Sequence, residues 1–267
     1  MKFKAKLHKD SADAVLSIVA SMQRLASECA LRLADDRVEI RIKPQGDSEV
    51  QVTSTVKKEI FSDYKIHTID GSSINVEVSL ANLVKGLKST DKSLDSVIKL
   101  TNRSGIPCLA VSAETAHGFR VTQNIPIIRF LTEEEMGDYR DPELPSPDIT
   151  VKLPKPKHIR SVLDRMKHID KVMTVEATNV GSLTLKVQTE FVTMRTVYRG
   201  LEISDVPASS RCKAIVSLKD MLHVMHSNFS QHQHLLMCIV KEKALVVYAA
   251  LPENLGCITY FLALSEY

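Results

Sequence analysis

One twelve-residue segment occurs twice in this chain, and the repeat limits the fold more than any other feature of the sequence. Residues 78–89 read VSLANLVKGLKS, and residues 216–227 read VSLKDMLHVMHS. Both copies begin Val-Ser-Leu, carry apolar residues at the helical positions that follow, and end in Ser. Each copy is followed by two strand-like runs joined by a turn, over 97–111 and 235–250. The repeat predicts two similar domains.

The first half of each predicted domain repeats more loosely, as a strand followed by an amphipathic helix. Phe3–Leu7 and Ile149–Leu153 read as the strands. We predict a first helix over Ala14–Cys29 and a third helix whose apolar face runs from Ile159 to Ile169. Further strands are predicted at 31–33, 38–42, 50–56, 173–177, 183–187 and 192–198. Their alternation is typical of antiparallel sheets with one wet face, so we predict an α+β fold of two antiparallel-sheet domains with four helices on one face.

Leu131–Asp148 separates the two predicted domains. The segment is rich in Pro and acidic residues and lacks the periods of both strand and helix. We expect an exposed connecting linker there, between an N-terminal domain over residues 1–130 and a C-terminal domain over 149–267. Its acidic run and apolar residues predict a docking site for client proteins. The candidate docking residues are Leu131, Met136, Tyr139 and Leu144.

The composition argues against a disordered or membrane-spanning chain. Hydrophobic residues make up 44% and charged residues 25% of the 267 residues. No run approaches the ~20 apolar residues of a membrane span, and the first residues lack the pattern of a signal peptide. Five cysteines, none in a C-x-x-C pair, favour reduced thiols in an intracellular protein. A net charge of +3 does not by itself indicate a nucleic-acid partner.

The helix faces opposite the apolar stripes lean basic. They carry Lys85 and Lys88 in the second helix, Lys157, Arg160 and Arg165 in the third, Lys219 in the fourth, and Arg24 in the first. Asp164 and Asp220 interrupt two of these stripes. One stripe alone is explained more simply as a solvated surface. Four equivalent helices can join their charges into one surface that contacts DNA phosphates without reading sequence.

The sequence lacks the common motifs of catalysis. It contains no Walker A loop, no dinucleotide-binding glycine pattern, no nucleophile elbow and no H-E-x-x-H. The most suggestive cluster is His223, His226, His232 and His234, with Cys238 nearby. Its spacing matches no usual zinc site, and a solvated helix end followed by a turn explains it more simply. A zinc enzyme is the alternative from another class, but we expect no catalytic residue, metal or cofactor.

Several segments, in the right order over most of the chain, resemble one family. They are residues 1–7 (MKFKAKL), 29–33 (CALRL), 99–102 (KLTN), 107–112 (PCLAVS), 124–127 (NIPI), 145–154 (PSPDITVKLP) and 161–169 (SVLDRMKHI). Together they resemble DNA sliding clamps of the proliferating cell nuclear antigen (PCNA) type. They resemble more closely the Hus subunit of the checkpoint clamp, which acts in DNA-damage signalling.

The resemblance implies a ring of three different subunits around double-stranded DNA, with helices lining the hole and sheets outside. It also implies an ATP-dependent clamp loader, a nuclear location, and work with repair and checkpoint proteins, including in meiosis, with no membrane partner. Lys85, Lys88 and Lys219 fall where such clamps carry DNA-facing lysines. The implied subunit contacts are Phe119, Val121 and Gln123 on one strand and Val192, Met194, Thr196 and Tyr198 on another. A PCNA-like homotrimer serving replication is the alternative within this class.

Overall fold

Four helices and eighteen strands make up the described part of the chain, which covers residues 1–46, 48–68, 73–90, 93–115, 118–204, 211–227 and 234–265 of a computed structural model. The chain divides into two units. Unit 1 comprises Met1–Lys43, Thr53–Arg140 and Leu251–Ile258. Unit 2 comprises Pro44–Val52, Asp141–Ala250 and Thr259–Tyr267. The predicted α+β class is confirmed.

Unit 1 is an antiparallel sheet with two helices. Its elements are β1 (Lys2–His8), α1 (Lys9–Met22), β2 (Glu28–Ala34), β3 (Arg37–Ile42), β4 (Val50–Lys57), β5 (Asp63–His67), β6 (Ser73–Ser79), α2 (Leu80–Lys88), β7 (Ser93–Arg103), β8 (Ile106–Thr115) and β9 (Arg120–Phe130). The strand order is β4-β3-β2-β6-β9-β8-β7-β1-β5. A 3-10 turn, Glu135–Tyr139, follows β9.

Unit 2 repeats the pattern of strands and two helices. Its elements are β10 (Ile149–Lys152), α3 (Pro156–Met166), β11 (Val172–Thr178), β12 (Ser182–Gln188), β13 (Thr193–Tyr198), β14 (Ile203–Ser204), β15 (Arg211–Ser217), α4 (Leu218–Met225), β16 (His234–Val240), β17 (Ala244–Ala250) and β18 (Gly256–Ala263), the last shared with unit 1. One run of strands has the order β14-β10-β16-β17-β18, and a four-stranded sheet has the order β13-β12-β11-β15.

The repeated Val-Ser-Leu marks a change from strand to helix in both units. Ser79 ends β6 and caps α2, where its Oγ accepts a hydrogen bond from the Asn82 amide. Ser217 ends β15 and caps α4, where its Oγ accepts from the Asp220 amide at 3.2 Å. A serine in this position satisfies one of the free amides at a helix start, so the repeat encodes the same local structure twice.

The first helix differs from the prediction in its limits. Helix α1 ends at Met22, seven residues before the predicted end at Cys29. Its apolar face was predicted correctly, because Val15, Ile18 and Val19 are buried. The helical period continues by chance beyond the helix, where Glu28–Ala34 forms a strand paired with both β3 and β6. Pairing on both sides of β2 outweighs the local helical pattern.

Candidate DNA-contacting and subunit-contacting surfaces

Helix α2 presents Lys85 and Lys88 to solvent. Both side chains are exposed, while Leu83, Val84 and Leu87 of the same helix are buried. Both lysines lie in the last turn of α2, where the helix dipole favours positive charge. The sequence therefore predicted correctly that these two lysines face water, as a phosphate contact requires.

Helix α2 also lies unusually close to the sheet. A Cβ atom built on Gly86 would stand 2.7 Å from Cδ1 of Ile125, a residue of β9. Real Cβ atoms do not approach another carbon so closely, so a side chain at this position requires Ile125 to move. Gly86 thus fixes how near the two lysines stand to β9.

Helix α3 carries three of the predicted basic residues. Its face of Ile159, Val162, Leu163 and Met166 is buried, and Lys157 and Arg165 are exposed. Arg165 Nε donates to the Ser161 carbonyl at 3.2 Å. Arg160 is half-buried, and its Nε is a buried donor with no hydrogen-bond partner in the described part of the chain. A buried donor without a partner is unusual in a folded protein.

Asp164, the acid that interrupts the basic stripe of α3, forms an ion pair with Lys167. Lys167 Nζ donates to Asp164 Oδ1 at 2.9 Å. This hydrogen bond is the main reason that the pKa of Asp164 lies below its usual value, with Lys167, His226 and Arg160 adding favourable charge. Lys167 was not among the predicted basic residues, although it stands three residues after Asp164 and directly follows the helix. A search for i,i+3 charge pairs would have found it.

Helix α4 contributes Lys219 but does not expose Asp220. Lys219 is exposed, as predicted. Asp220 was expected on the wet face, yet it is buried and accepts a 2.9 Å hydrogen bond from Ser48 Oγ. The expectation was wrong because Ser48, which donates the hydrogen bond to Asp220, comes from a distant part of the sequence. As a result Asp220 does not interrupt an exposed basic stripe.

A groove in unit 2 gathers further basic residues between α3 and α4. Its lining includes Lys167, His168, Lys171, Lys219, His223 and His226, together with Asp164 and Asp170. One acid of the groove, Asp164, is paired with Lys167. The other, Asp170, accepts a hydrogen bond from the Lys171 amide at 2.6 Å. The sequence missed Lys167 and Lys171 because both lie just after α3, outside the helical stripe.

The predicted basic stripe of the first helix is wrong. Arg24 is exposed, but it lies in the turn after α1, which ends at Met22. The error follows from the misplaced helix end, since the true helix starts and stops earlier than its apolar period suggests. Arg24 therefore belongs to a loop.

The histidine cluster is only partly within the described residues. His223 and His226 line the groove between α3 and α4. His232 lies outside the described residues, and only the backbone of His234 is described. Within the described residues no group of three or more His, Cys, Asp or Glu side chains is arranged to hold a metal ion. No described helix is both long and apolar enough to cross a membrane.

Strands β13 and β9 are among the described strands that have an open hydrogen-bonding edge. Strand β13 is the outermost strand of its four-stranded sheet and pairs with β12. In β9, Arg120–Pro126 pairs with β8, whereas pairing with β6 begins only at Ile127. The first part of β9 is therefore open on its second side within the described sheets. Each edge leaves backbone amides and carbonyls available to another strand.

Exposed apolar side chains cluster along these same strands. Eight of the eleven exposed large apolar residues in the described chain lie in or beside β9 or the β11–β13 region. They are Phe119, Val121, Ile128 and Phe130 in or beside β9, Phe191, Val192 and Val197 in or just before β13, and Val180 in the turn between β11 and β12. Of the predicted contact residues, Gln123 is also exposed, and Met194, Thr196 and Tyr198 are half-buried. Such clusters mark surfaces that another protein covers.

The first part of the predicted linker is packed onto unit 1. Leu131, Met136 and Tyr139 are buried, and they form a cluster with Ala30. Thr132 and Glu135 form a capping box, in which the Glu135 carboxylate accepts from the Thr132 amide at 2.8 Å and Thr132 Oγ1 accepts from the Glu135 amide at 3.2 Å. The expectation of an exposed linker was therefore wrong for Leu131, Met136 and Tyr139. The residues between them include exposed ones, such as Glu133, Glu134 and Asp138. We call residues 131–140 the strap.

The acidic residues of the strap pair with bases of unit 1. Glu133 binds Arg32 at 3.1 Å, and Asp138 binds Lys43 at 3.4 Å. Glu135 binds Arg129. These pairs occupy much of the charge that was expected to attract client peptides. Leu144, after the strap, is half-buried, and client docking at this segment stays a prediction.

Comparison with known proteins decides the family. The model of a family described as Hus1-like protein matches residues 1–266. The chain belongs to the Hus1-like family. It is 27% identical to the checkpoint protein hus1 homolog of Dictyostelium discoideum, with 98% of each chain covered. It is 30% identical to checkpoint protein HUS1 of Homo sapiens over 75% of this chain and 74% of the human protein.

Solved structures support the fold of this Hus1-like chain independently. It superimposes on PCNA from Entamoeba histolytica with a TM-score of 0.79 at 12% identity, covering 99% of both chains. PCNA from Thermococcus kodakaraensis gives a TM-score of 0.79 at 16% identity, covering 98% of this chain and 100% of that one. The Hus1-like chain is therefore a DNA-damage checkpoint protein with the sliding-clamp fold, and it is not an enzyme.

Proposed function

We propose that this chain is one of three different subunits of a closed ring that encircles double-stranded DNA at sites of damage. An ATP-dependent clamp loader places the ring on DNA, and the ring holds repair and checkpoint proteins there. The work takes place in the nucleus and extends to meiosis. Membership of the Hus1-like family supports this proposal, and the geometry of two strand edges carries it.

The open edges of β9 and β13 suit head-to-tail assembly. They are different surfaces on one chain, and each combines free backbone groups with exposed apolar side chains, such as Val121 near one and Val197 near the other. A contact between unlike surfaces joins subunits into a ring when the rotation per subunit closes. In the proposed ring, each edge pairs with a different partner subunit, in a strand pairing that also covers the apolar side chains.

The basic residues of α2, α3 and α4 suit a backbone contact with DNA. Lys85, Lys88, Lys157, Arg165 and Lys219 are exposed on helices whose apolar faces are already buried. Lysines and arginines of this kind bind phosphates irrespective of sequence. The set of DNA-contacting residues proposed from the sequence also includes the half-buried Arg160 and the loop residue Arg24.

Co-expression with two partner clamp subunits tests the assembly. We expect the three chains to form a ring of one copy each, measured by mass in solution and by electron microscopy, and we expect the isolated chain to form none. Val121→Asp and Val197→Asp should each weaken one neighbour contact. Leu94→Asp changes an exposed leucine on β7 in the same way and should leave the ring intact. A stable homotrimer of the isolated chain at micromolar concentration would favour the replication clamp instead.

A further inference from the structure

Residues 141–147 form an extended stretch between two anchored points of the chain. Before it, the Arg140 amide donates to the Gly137 carbonyl at 3.1 Å. After it, the Asp148 amide donates to the Ile239 carbonyl at 3.0 Å. The stretch contains neither helix nor strand, and its three prolines, at 142, 145 and 147, have no amide proton to donate. Its backbone is therefore open to an enzyme that binds extended peptides.

Ser146 lies within this stretch and is exposed. It makes no hydrogen bond to any other part of the described chain. The proline that follows, Pro147, keeps Ser146 in an extended conformation. Ser146 is also the single serine or threonine in the whole sequence that precedes a proline. Protein kinases directed by proline require this arrangement, an accessible extended hydroxyl residue with proline next in the chain.

A turn that carries two lysines on either side of the exposed Glu242 lies beside the same stretch in unit 2. The Asp148 carboxylate accepts a hydrogen bond from the Lys241 amide at 2.7 Å, which fixes Asp148 against the turn between β16 and β17. Lys241 and Lys243 of that turn are exposed. The two residues from Ser146 to Asp148 span at most about 7 Å of chain, so the Ser146 hydroxyl stands within reach of long lysine side chains.

We propose that Ser146 is a phosphorylation site for a proline-directed serine/threonine kinase and that Lys241 and Lys243 hold the phosphate. Ser146 Oγ attacks the γ-phosphorus of ATP, the bond to the bridging oxygen breaks, the hydroxyl proton passes to the base of the kinase, and ADP leaves. The new group carries nearly two negative charges and strong acceptor oxygens, which lysines bind through charge-assisted hydrogen bonds. Phosphorylation then ties the stretch to the β16–β17 turn.

Treatment of the full-length chain with a purified proline-directed kinase and ATP tests the site. We expect one phosphate per chain by intact-mass spectrometry, mapped to Ser146. Ser146→Ala should abolish the modification, and Pro147→Ala should reduce it at least tenfold while keeping the hydroxyl. An unmodified wild-type chain, modification elsewhere, or full modification of Pro147→Ala would each overturn the proposal.

Phosphorus NMR tests the role of the lysines. The second pKa of a phosphate is ordinarily about 6, and neighbouring positive charge lowers it. We expect the pKa of phosphorylated Ser146 to lie a few tenths of a unit lower in the wild type than in Lys241→Ala/Lys243→Ala. Lys65→Ala/Lys99→Ala removes two exposed strand lysines and should match the wild type. Equal values for all three proteins would overturn the lysine contact. Neither experiment depends on ring assembly.

Discussion

The Tyr139 hydroxyl donates a 2.8 Å hydrogen bond to the Glu77 carboxylate, and both residues are buried. Arg129 Nε donates to the other oxygen of that carboxylate at 2.7 Å. Burial acts to raise the pKa of Glu77, but the hydrogen bonds from Arg129 and Tyr139 outweigh it, and the pKa lies below its usual value. This contact joins the strap to β6, the strand that carries Glu77.

Removing the Tyr139 hydroxyl should destabilise unit 1. Tyr139→Phe keeps the ring, over which Lys43 Nζ stands 5.0 Å from the centroid, but leaves one buried oxygen of Glu77 without its donor. A lost partner for a buried charged group costs about 1–3 kcal/mol. We expect a lower midpoint in urea denaturation. As a control, Glu143→Gln changes an exposed residue and should alter the free energy of unfolding by less than about 0.5 kcal/mol. An equal loss of stability in Tyr139→Phe and Glu143→Gln would contradict the role of the Tyr139 hydroxyl.

Acid should loosen the strap. Hydrogen bonds from Asn75 lower the pKa of Glu133, and the Thr132 amide lowers that of Glu135, so both lie below the ordinary value of 4.5. A carboxylate with a lowered pKa stabilises the folded state above its unfolded pKa, and that stability is lost as pH falls through the folded pKa. Hydrogen-exchange protection at Gly137 should therefore hold at neutral pH and decline below pH 4.5.

The double variant Glu133→Gln/Glu135→Gln supplies the control for this pH dependence. It removes both titrating groups, so protection at Gly137 should already be reduced at neutral pH and should change less on acidification. Glu134→Gln alters the exposed acid between them and should behave like the wild type. Identical pH profiles for the double variant and the wild type would show that other groups control the strap.

Charge on α2 should act on DNA without affecting the fold. In assembled rings, Lys85→Ala/Lys88→Ala should weaken retention on DNA and lower the salt slope of binding by at most about one unit per lysine. Stability should stay within about 0.5 kcal/mol, since both side chains are exposed. Lys65→Ala/Lys99→Ala makes the same change of net charge on strands β5 and β7. Equal losses of retention in both variants would mean that only net charge matters.

A side chain at Gly86 should disturb the packing of α2 on the sheet. Gly86→Ala would bring Cβ to 2.7 Å from Ile125 Cδ1, so the end of the Ile125 side chain must shift, at a cost near the low end of the about 1–3 kcal/mol typical of overpacking. Ile125→Val removes that methyl group, so Gly86→Ala should reduce stability less in the Ile125→Val background than in the wild type. In that background the higher helix propensity of alanine should add to stability. A double-mutant cycle in thermal denaturation measures the coupling. Additive effects would contradict the close approach.

Local patterns predicted the parts of the fold that depend on neighbouring residues. Ser79 and Ser217 each cap the helix that follows through a hydrogen bond to the amide three residues later. The repeat that contains them was therefore sufficient to predict both helices. The exposed Lys85 and Lys88 follow from the period of a single helix. The end of α1 did not follow, because Leu25 fits the helical period while pairing with β3 and with the more distant β6 draws Glu28–Ala34 into a strand.

Contacts between distant residues were beyond the reach of these patterns. The strap reads as a solvated acidic run, since two of its partners, Arg32 and Lys43, stand 101 and 95 residues before the acids that they bind. Asp220 reads as a surface acid for the same reason, because Ser48 stands 172 residues earlier. A charged residue is usually exposed unless it is paired, and pairing is a property of the folded chain.

The Ser48–Asp220 contact bears on how the protein forms at the ribosome. Pro44–Val52 belongs to unit 2, whose other segments begin only at Asp141. During synthesis this early loop emerges long before α4, so its hydroxyl group cannot meet the carboxylate until most of the polypeptide has been translated. Unit 2 is therefore completed late. A fragment that begins at Asp141 would keep α4 while lacking the serine that satisfies its buried acid.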